Sequence, residues 1–234
     1  MDILESKEIM EEDGEGKMNE KTKVMNSRSN RKYYQILKRG FDVTTSGLAL
    51  VGLSPLFLVI GIIVKNQDHG PVFYKQIRIG KNGKPFGMYK FRSMRMNAEE
   101  ELKKNPVLYK KYIAAGYKLP EGEDPRITKI GRWLRKTSLD ELPQFYNVLK
   151  GQMSMVGPRP VIEEELKEYG SKKSKLLSVK PGAFGLWQAS GRSNITYPER
   201  CDVELEYIDK ASVSYDLKIF FKTIKSIIKK DGAF

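Results

Sequence analysis

The chain has 234 residues, enough for one sizeable domain with appendages. Its 42 lysines and arginines outnumber its 29 acidic residues and give a net charge of +13, so we expect a polyanionic partner: nucleic acid, anionic lipid headgroups or a phosphorylated small molecule. The single cysteine, Cys201, excludes an internal disulfide and fits a reducing compartment, and the lone His69 in a turn-like stretch gives a zinc site no support.

The amino-terminal region has two parts. Residues 1–30 are polar and charged without apolar periodicity, so we predict a disordered tail, and they lack a signal-peptide pattern. From Val43 to Val64 no charged residue occurs over 22 positions, which predicts a membrane segment.

A break is predicted inside that segment. Pro55 lacks the N–H that a continuous helix needs, and the hydroxyl of Ser54 is able to bond a carbonyl that the proline leaves free. Basic residues flank both ends of the run, so both flanks are predicted to be cytoplasmic. We therefore predict a re-entrant helix-break-helix within residues 31–66, with a proline-kinked spanning helix as the alternative.

Two short strands are predicted around the turn at Asn82-Gly83. Lys75, Arg78 and Arg92 are candidates to line an anion site beside this hairpin, and a solvated basic hairpin near lipid headgroups is the alternative. Residues 97–123 are charged and helical in type, which predicts an accessory helix or lid. A helix with a basic side follows the stretch at 124–128 and is suited to an anionic interface.

We place the chemistry at Ser138–Gln144, where Asp140 and Glu141 are adjacent and lie between apolar residues and Pro143. The competing interpretation is helix capping, with Asp140 as the cap and Pro143 in the first turn. Further on, two prolines fix the backbone around Arg159, whose planar fork suits a phosphate or, alternatively, a structural carboxylate.

Two carboxyl-terminal segments complete the pattern. Residues 180–194 are too glycine-rich for a regular helix and too aromatic for a linker, which predicts a binding loop. Residues 215–230 place apolar side chains on one face and lysines on the other, which favours an interfacial helix over a core helix.

Together these elements resemble the small monotopic phosphoglycosyl transferases of bacteria, the polyprenyl-phosphate hexose-1-phosphate transferases, from about Lys38 to Phe234. Seven short motifs in order carry the resemblance: Ser54-Pro55, Lys75-x-x-Arg78-x-Gly80, Lys90–Met94, Asp124–Thr128, Ser138–Gln144, Gly157–Pro160 and Pro181–Arg192. One departure is Ala183-Phe184 between two glycines, where Leu-Thr or Ile-Thr is more usual.

The resemblance implies a fold and a location. The fold would be α/β and helix-rich, membrane-associated and monotopic, with the re-entrant helix and interfacial amphipathic helices around a small catalytic domain at 67–234. That domain would lie on the cytoplasmic face of the bacterial plasma membrane, with both termini cytoplasmic. Longer relatives carry extra spanning helices, so we expect the minimal catalytic form.

The resemblance also implies a reaction. A hexose-1-phosphate, galactose or glucose, would pass from a UDP-sugar to undecaprenyl phosphate with Mg²⁺, releasing UMP and starting an exopolysaccharide or capsule repeat. Asp140 would attack the sugar-bearing phosphate and bind the metal, and Glu141 would assist. The candidate substrate-binding residues are Lys75, Arg78, Arg92, Arg126, Pro158, Arg159, Pro160, Gln188 and Arg192.

Two other classes of protein compete with this interpretation. A membrane-docked adaptor that binds anionic lipid or a partner protein explains the charge and amphipathicity, but not the paired carboxylates or the rigid Arg159. A nucleic-acid binder is disfavoured, because the aromatic residues are not interleaved with the basic ones as a stacking platform. The oligomeric state, monomer or homodimer, stays open.

Overall fold

The computed structural model describes residues 31–117, 119, 122–190 and 195–229. The predicted tail, residues 1–30, lies outside the described residues. The chain divides after Gly40. The described part of the first unit, residues 31–40, is helical, and every element after α1 belongs to the second unit, Phe41–Phe234.

The described residues form a helix-rich α/β fold with two small sheets. The helices are α1 (Arg31–Gly52), α2 (Ser54–Asp68), α3 (Ala98–Lys104), α4 (Pro106–Ala114), α5 (Lys129–Lys136), α6 (Gln144–Leu149), α7 (Glu163–Leu166), α8 (Lys173–Leu176), α9 (Leu186–Ala189), α10 (Glu199–Lys210) and α11 (Val213–Lys229). The strands are β1 (Phe73–Ile79), β2 (Pro85–Phe91), β3 (Ser154–Val156) and β4 (Gly182–Phe184), and 3₁₀ turns occupy Lys81–Gly83, Leu139–Glu141 and Lys167–Lys172.

The predicted break in the apolar segment is confirmed. Helices α1 and α2 meet at Leu53 with a bend of 61°. The Ser54 hydroxyl donates to the carbonyl of Val51 at 2.7 Å, which is the carbonyl that Pro55 cannot serve. None of the described helices is alone long and apolar enough to cross a bilayer, whereas α1 and α2 together meet that criterion across their bend.

The predicted hairpin is also confirmed. β1 and β2 pair antiparallel, and the turn places Asn82 at φ 59° and Gly83 at φ 74°, the left-handed region that these residue types tolerate. Because side chains alternate along a strand, Arg78 and Lys90 lie on one face of the hairpin and Lys75 lies on the other.

A short parallel pair, β3 and β4, joins two segments that the sequence analysis treated as loops. Its close approach depends on glycine: a Cβ on Gly182 would lie 2.1 Å from the backbone nitrogen of Gly157. The prediction of an irregular loop at 180–194 is therefore wrong for Gly182–Phe184 and Leu186–Ala189, which form β4 and α9 with mostly buried side chains, while its binding role stays a prediction.

Helix α11 is in part a core helix, so the preference for an interfacial helix over a core helix is wrong for its buried residues. Ile219 is buried in the main hydrophobic cluster, and the ring of Phe220 packs 5.3 Å from that of Phe184. Leu217 and Phe221 on the same helix remain exposed. The apolar face of α11 is wider than the part that packs against the core, so some of its apolar side chains are buried and others are exposed.

Asp42 fastens α1 to β3. Its carboxylate is buried and accepts hydrogen bonds from the hydroxyl of Ser154 at 2.9 Å and from the backbone N–H of Met155 at 2.8 Å. A carboxylate placed this deep is stabilised only if donors reach it. This contact ties the apolar helix directly to the parallel pair.

Replacing Asp42 by alanine leaves those two donors unsatisfied, so we expect the free energy of unfolding to fall by about 2–4 kcal/mol. Asp42→Asn keeps an acceptor oxygen and should lose less than half as much. Urea unfolding of detergent-solubilised protein measures both, and equal losses for the two variants would contradict the hydrogen-bond account.

Candidate active site

The adjacent carboxylates Asp140 and Glu141, here called the carboxylate pair, lie in the 3₁₀ turn before α6. The capping interpretation is wrong, because Pro143 precedes α6 and neither Ser138 nor Asp140 makes a side-chain cap bond. Ser138 adopts a left-handed backbone at φ 56°, which starts the turn. Asp140 is buried and Glu141 is partly exposed, so the two carboxylates occupy different surroundings.

Cationic side chains converge on the carboxylate pair. Lys90 donates from Nζ to Glu141 Oε1 at 2.9 Å, and Arg159 Nη1 lies 3.7 Å from the same oxygen. Among the described residues, no hydrogen bond or ion pair to the Asp140 carboxylate is seen. Glu141 is thus the carboxylate that pairs with Lys90 and Arg159, and no described cation bonds to Asp140.

Burial raises the pKa of Asp140, and the negative charge of Glu141 adds to that rise, while Lys90, Arg135 and Arg159 oppose it. Arg135 is partly buried and donates from Nε to the Ser93 hydroxyl at 3.0 Å. Burial lowers the pKa of Arg135 in turn, and Asp140 opposes that effect. A carboxylate in this setting is a stronger base than one in water, while the cations keep its charged form accessible.

Hydrogen bonds to the carbonyls of the two flanking prolines hold the loop that carries Arg159. The carbonyl of Pro158 accepts from Gly182 N–H at 2.8 Å, and the carbonyl of Pro160 accepts from Arg78 Nη1 at 3.0 Å. Arg78 also donates to Glu165 Oε2 at 3.0 Å. Arg78 is therefore buried and supports the loop, and a substrate contact by Arg78 stays a prediction.

Helix α10 supplies a second support for Arg159. The backbone N–H of Arg159 donates to Glu204 Oε2 at 3.1 Å. The guanidinium carbon of Arg159 lies 5.5 Å from the centre of the Trp187 ring, and that of Arg200 lies 4.4 Å from the same ring. One aromatic ring thus contacts two cations.

Other predicted site residues lie elsewhere. Lys75 faces away from Arg78 and Lys90, because positions three apart on a strand point to opposite faces. Arg92 is buried in an ion pair with Asp68, whose pKa it lowers to about 2. Substrate contacts by these two residues stay predictions.

The remaining candidates are also engaged or inside the core. Arg126 makes a buried, two-pronged ion pair with Asp124 through Nε at 2.7 Å and Nη2 at 2.6 Å. The amide of Gln188 is buried and donates to the carbonyl of Ala183 at 3.2 Å. Arg192 lies outside the described residues. Substrate contacts by all three stay predictions.

Sequence reasoning did not name Lys90, Arg135, Arg200 or Glu204 as site residues, although Lys90 begins the motif Lys90–Met94. A signal for Lys90 existed, since an Asn82-Gly83 turn fixes the register and places position 90 on the face of Arg78. Arg135 belongs to the basic side of the helix that the sequence predicts after residues 124–128 and that suits an anionic interface. No local pattern marks the two α10 residues, because their contacts join segments far apart in sequence.

The carboxylate pair suits a divalent cation that takes only one or two of its ligands from the protein. Among the described residues no group of three or more acidic, histidine or cysteine side chains forms a cage. Mg²⁺ commonly takes one or two carboxylates and completes its shell with phosphate oxygens and water. Asp140, to which no described cation bonds, is the carboxylate that suits this mode of binding.

Comparison with known proteins decides the family. The family model described as bacterial sugar transferase matches residues 33–230. The chain belongs to the bacterial sugar transferase family. The matched range contains both the break at Leu53 and the carboxylate pair, so this family member carries the whole described site inside the shared region.

Several individual proteins are similar to this bacterial sugar transferase over most of its length. It is 46% identical over 201 residues to the galactosyl transferase CpsE of Streptococcus agalactiae and 44% identical over 203 residues to the undecaprenyl-phosphate galactose phosphotransferase of Salmonella typhimurium. Those matches cover 85% and 86% of the chain but only 43% and 42% of the relatives. The exopolysaccharide production protein ExoY of Sinorhizobium fredii is 45% identical over 203 residues, covering 85% of the chain and 88% of ExoY.

Glu204 makes the stability of the fold depend on pH. Burial raises its pKa to about 7, against the opposing effects of Arg200 and Arg159. Glu165 adds to the rise, and Tyr169 also faces this carboxyl. The folded state therefore holds this proton more tightly than the unfolded state, and the associated stability is present at low pH and lost as pH rises through about 7.

Glu204→Gln removes this titration. The free energy of unfolding of the variant, relative to that of the wild type, should therefore rise by an amount on the order of 3 kcal/mol between pH 5 and pH 8.5. Urea unfolding at both pH values measures the difference, with the exposed Glu206→Gln as control. If the wild type and Glu204→Gln change in parallel with pH, the raised pKa is excluded.

Proposed function

We propose that this protein transfers a hexose-1-phosphate, from UDP-galactose or UDP-glucose, to undecaprenyl phosphate and so starts an exopolysaccharide or capsule repeat. One observation carries the proposal: among the described residues no cation bonds to the buried Asp140, while its neighbour Glu141 is paired with Lys90 and Arg159. The names of the Salmonella and Streptococcus relatives, which concern galactose transfer, support the same reaction class.

The charge distribution suits an anionic substrate. A carboxylate nucleophile and a diphosphate repel each other, so the attack needs positive charge placed beside the phosphorus. Lys90, Arg135 and Arg159 surround the carboxylate pair and provide that charge. Glu141 keeps two of these cations in place, and this is the role we assign to it.

The reaction proceeds in two displacements. An Asp140 carboxylate oxygen bonds to the sugar-bearing phosphorus, the bond from that phosphorus to the bridging oxygen breaks, and UMP leaves with the electron pair. The acceptor phosphate oxygen then bonds to the same phosphorus, the bond to Asp140 breaks, and the carboxylate is restored. The products are UMP and undecaprenyl diphosphate bearing the sugar.

Mg²⁺ is part of the proposal. When bound by Asp140 and the diphosphate, it would neutralise phosphate charge and orient the leaving group. Arg159 binds and orients the phosphates, and the buried position of Asp140 limits access of water that would hydrolyse an acyl phosphate.

We also assign the bent helix pair to the membrane as a re-entrant segment. Leu58, Val59, Ile62 and Ile63 of α2 are exposed, whereas Ile60 and Val64 pack against Phe91 and Leu134. An apolar face of this size suits lipid better than water. It would hold the site at headgroup level on the cytoplasmic face, where the acceptor phosphate lies.

Sugar-dependent UMP release tests the reaction. Purified protein with Mg²⁺ and undecaprenyl phosphate should release UMP from UDP-galactose or UDP-glucose, and Asp140→Asn should lower kcat by at least about 10³-fold because the nucleophile is lost. Glu141→Gln should be less severe, since the amide still bonds Lys90. Folded wild-type protein that is silent with hexose and N-acetylated donors would instead support a membrane adaptor.

The assignment of Lys90 has its own test. Lys90→Met removes positive charge beside the carboxylate pair, and we expect kcat/KM to fall by about 10²–10³-fold. Lys84→Met, an exposed lysine at the turn of the same hairpin, is the matched control and should stay within about twofold of the wild type. Equal effects of the two variants would exclude a local role for Lys90.

Membrane attachment is tested by charge on α2. The double variant Leu58→Glu, Ile62→Glu should release the protein from liposomes, because each exposed apolar side chain becomes anionic. Val107→Glu on α4 replaces an apolar residue that is even more exposed than Leu58 and Ile62 and lies away from the helix pair, and this variant should stay bound. A tag at residue 1 that is labelled only from outside intact cells would contradict the re-entrant topology.

A further inference from the structure

Buried polar atoms without a hydrogen-bond partner gather around the first half of α10. Among the described residues they include Arg200 Nε and Nη2, Glu204 Oε1 and the hydroxyl oxygens of Tyr169 and Tyr197. The two tyrosine rings lie 6.2 Å apart, and the Arg200 guanidinium carbon lies 4.8 Å from the Tyr197 ring. Buried polar groups normally have partners, so fold stability does not by itself explain this cluster.

The cluster leads to the carboxylate pair through Trp187. The Trp187 ring contacts Arg200 at 4.4 Å and Arg159 at 5.5 Å, and its Nε1 donates to the carbonyl of Ile195 at 2.9 Å. Arg159 in turn lies 3.7 Å from Glu141. A displacement of Arg200 would therefore move the Trp187 ring and, through it, the guanidinium of Arg159.

Glu204 acts on the same residue through the main chain. Its side chain is fully buried, and its Oε2 accepts the backbone N–H of Arg159 at 3.1 Å. Arg200 Nη1 lies 3.7 Å from Glu165 Oε1, and Glu165 also binds Arg78, whose Nη1 donates to the Pro160 carbonyl. Two α10 side chains thus restrain both the amide and the guanidinium of Arg159.

We propose that Arg200 and Glu204 are positioning residues for Arg159, which aim its guanidinium at the phosphates of the nucleotide sugar. The inference rests on the proposed function, since it assigns these residues to that reaction. Neither touches the substrate. Arg200 acts through Trp187, and Glu204 acts through the Arg159 amide.

The test compares three variants on α10. Glu204→Leu removes the acceptor for the Arg159 amide and should lower kcat by about 10²-fold, the effect of misplacing a reacting group by about 1 Å. Glu204→Gln keeps an acceptor oxygen and should stay within about threefold of the wild type. Glu206→Leu, on the exposed side of the same helix, is the control.

A paired variant separates positioning from folding. Arg200→Met with Glu204→Gln removes two buried ionisable groups that carry unpartnered polar atoms, and Glu165 keeps Arg78 as its partner, so the urea midpoint of the variant should stay close to that of the wild type. Its kcat should nevertheless fall by about tenfold, with KM for the UDP-sugar changing by less than about threefold. If kcat falls only in proportion to the loss of folded protein, the residues are structural and the proposal is overturned.

The fluorescence emission of Trp187 reports on the position of Arg159 without requiring enzymatic activity. In a Trp133→Phe background Trp187 is the sole tryptophan. Glu204→Leu should then shift its emission, and Glu204→Gln should not. Wild-type protein without UMP release would refute the proposed function, whereas unchanged emission in Glu204→Leu would refute the positioning role whatever the activity.

Discussion

One electrostatic constraint organises the site: two adjacent carboxylates must not compete for the same cations. Glu141 is paired with Lys90 and Arg159, and the buried Asp140 has no bonded cation in the part of the chain that the structure describes. Burial raises the pKa of Asp140, and the nearby cations keep its anionic form within reach. A nucleophile that attacks an anionic phosphorus needs this combination of basicity and surrounding positive charge.

The scaffold serves that constraint by fixing Arg159 and Lys90 from different directions. The hairpin register sets Lys90, while the parallel pair β3–β4, with its glycine contact at Gly157 and Gly182, sets the loop before Arg159. Asp42 joins the apolar helix to the same pair. An account of the site therefore includes long-range contacts that hold the loop, not only the residues that face a substrate.

Local sequence signals predicted the elements whose causes are local. The serine–proline break and the Asn82-Gly83 turn were placed correctly, because each depends on backbone chemistry within a few residues. The β3–β4 pairing was missed, since three-residue strands far apart in sequence carry no periodic signal. For the site, the carboxylate pair and Arg159 were recognised, but Lys90 depended on strand register, and Arg200 and Glu204 depended on tertiary contacts that no local pattern records.

The most direct test of the central claim is the location of the covalent bond. The protein is mixed with the UDP-sugar and Mg²⁺ in the absence of undecaprenyl phosphate, quenched, digested and analysed by mass spectrometry. We expect one hexose phosphate on the peptide that contains Asp140, absent from Asp140→Asn and discharged when undecaprenyl phosphate is added before the quench. Turnover without any such adduct, or an adduct on Glu141 in its place, would contradict the division of roles between the two carboxylates.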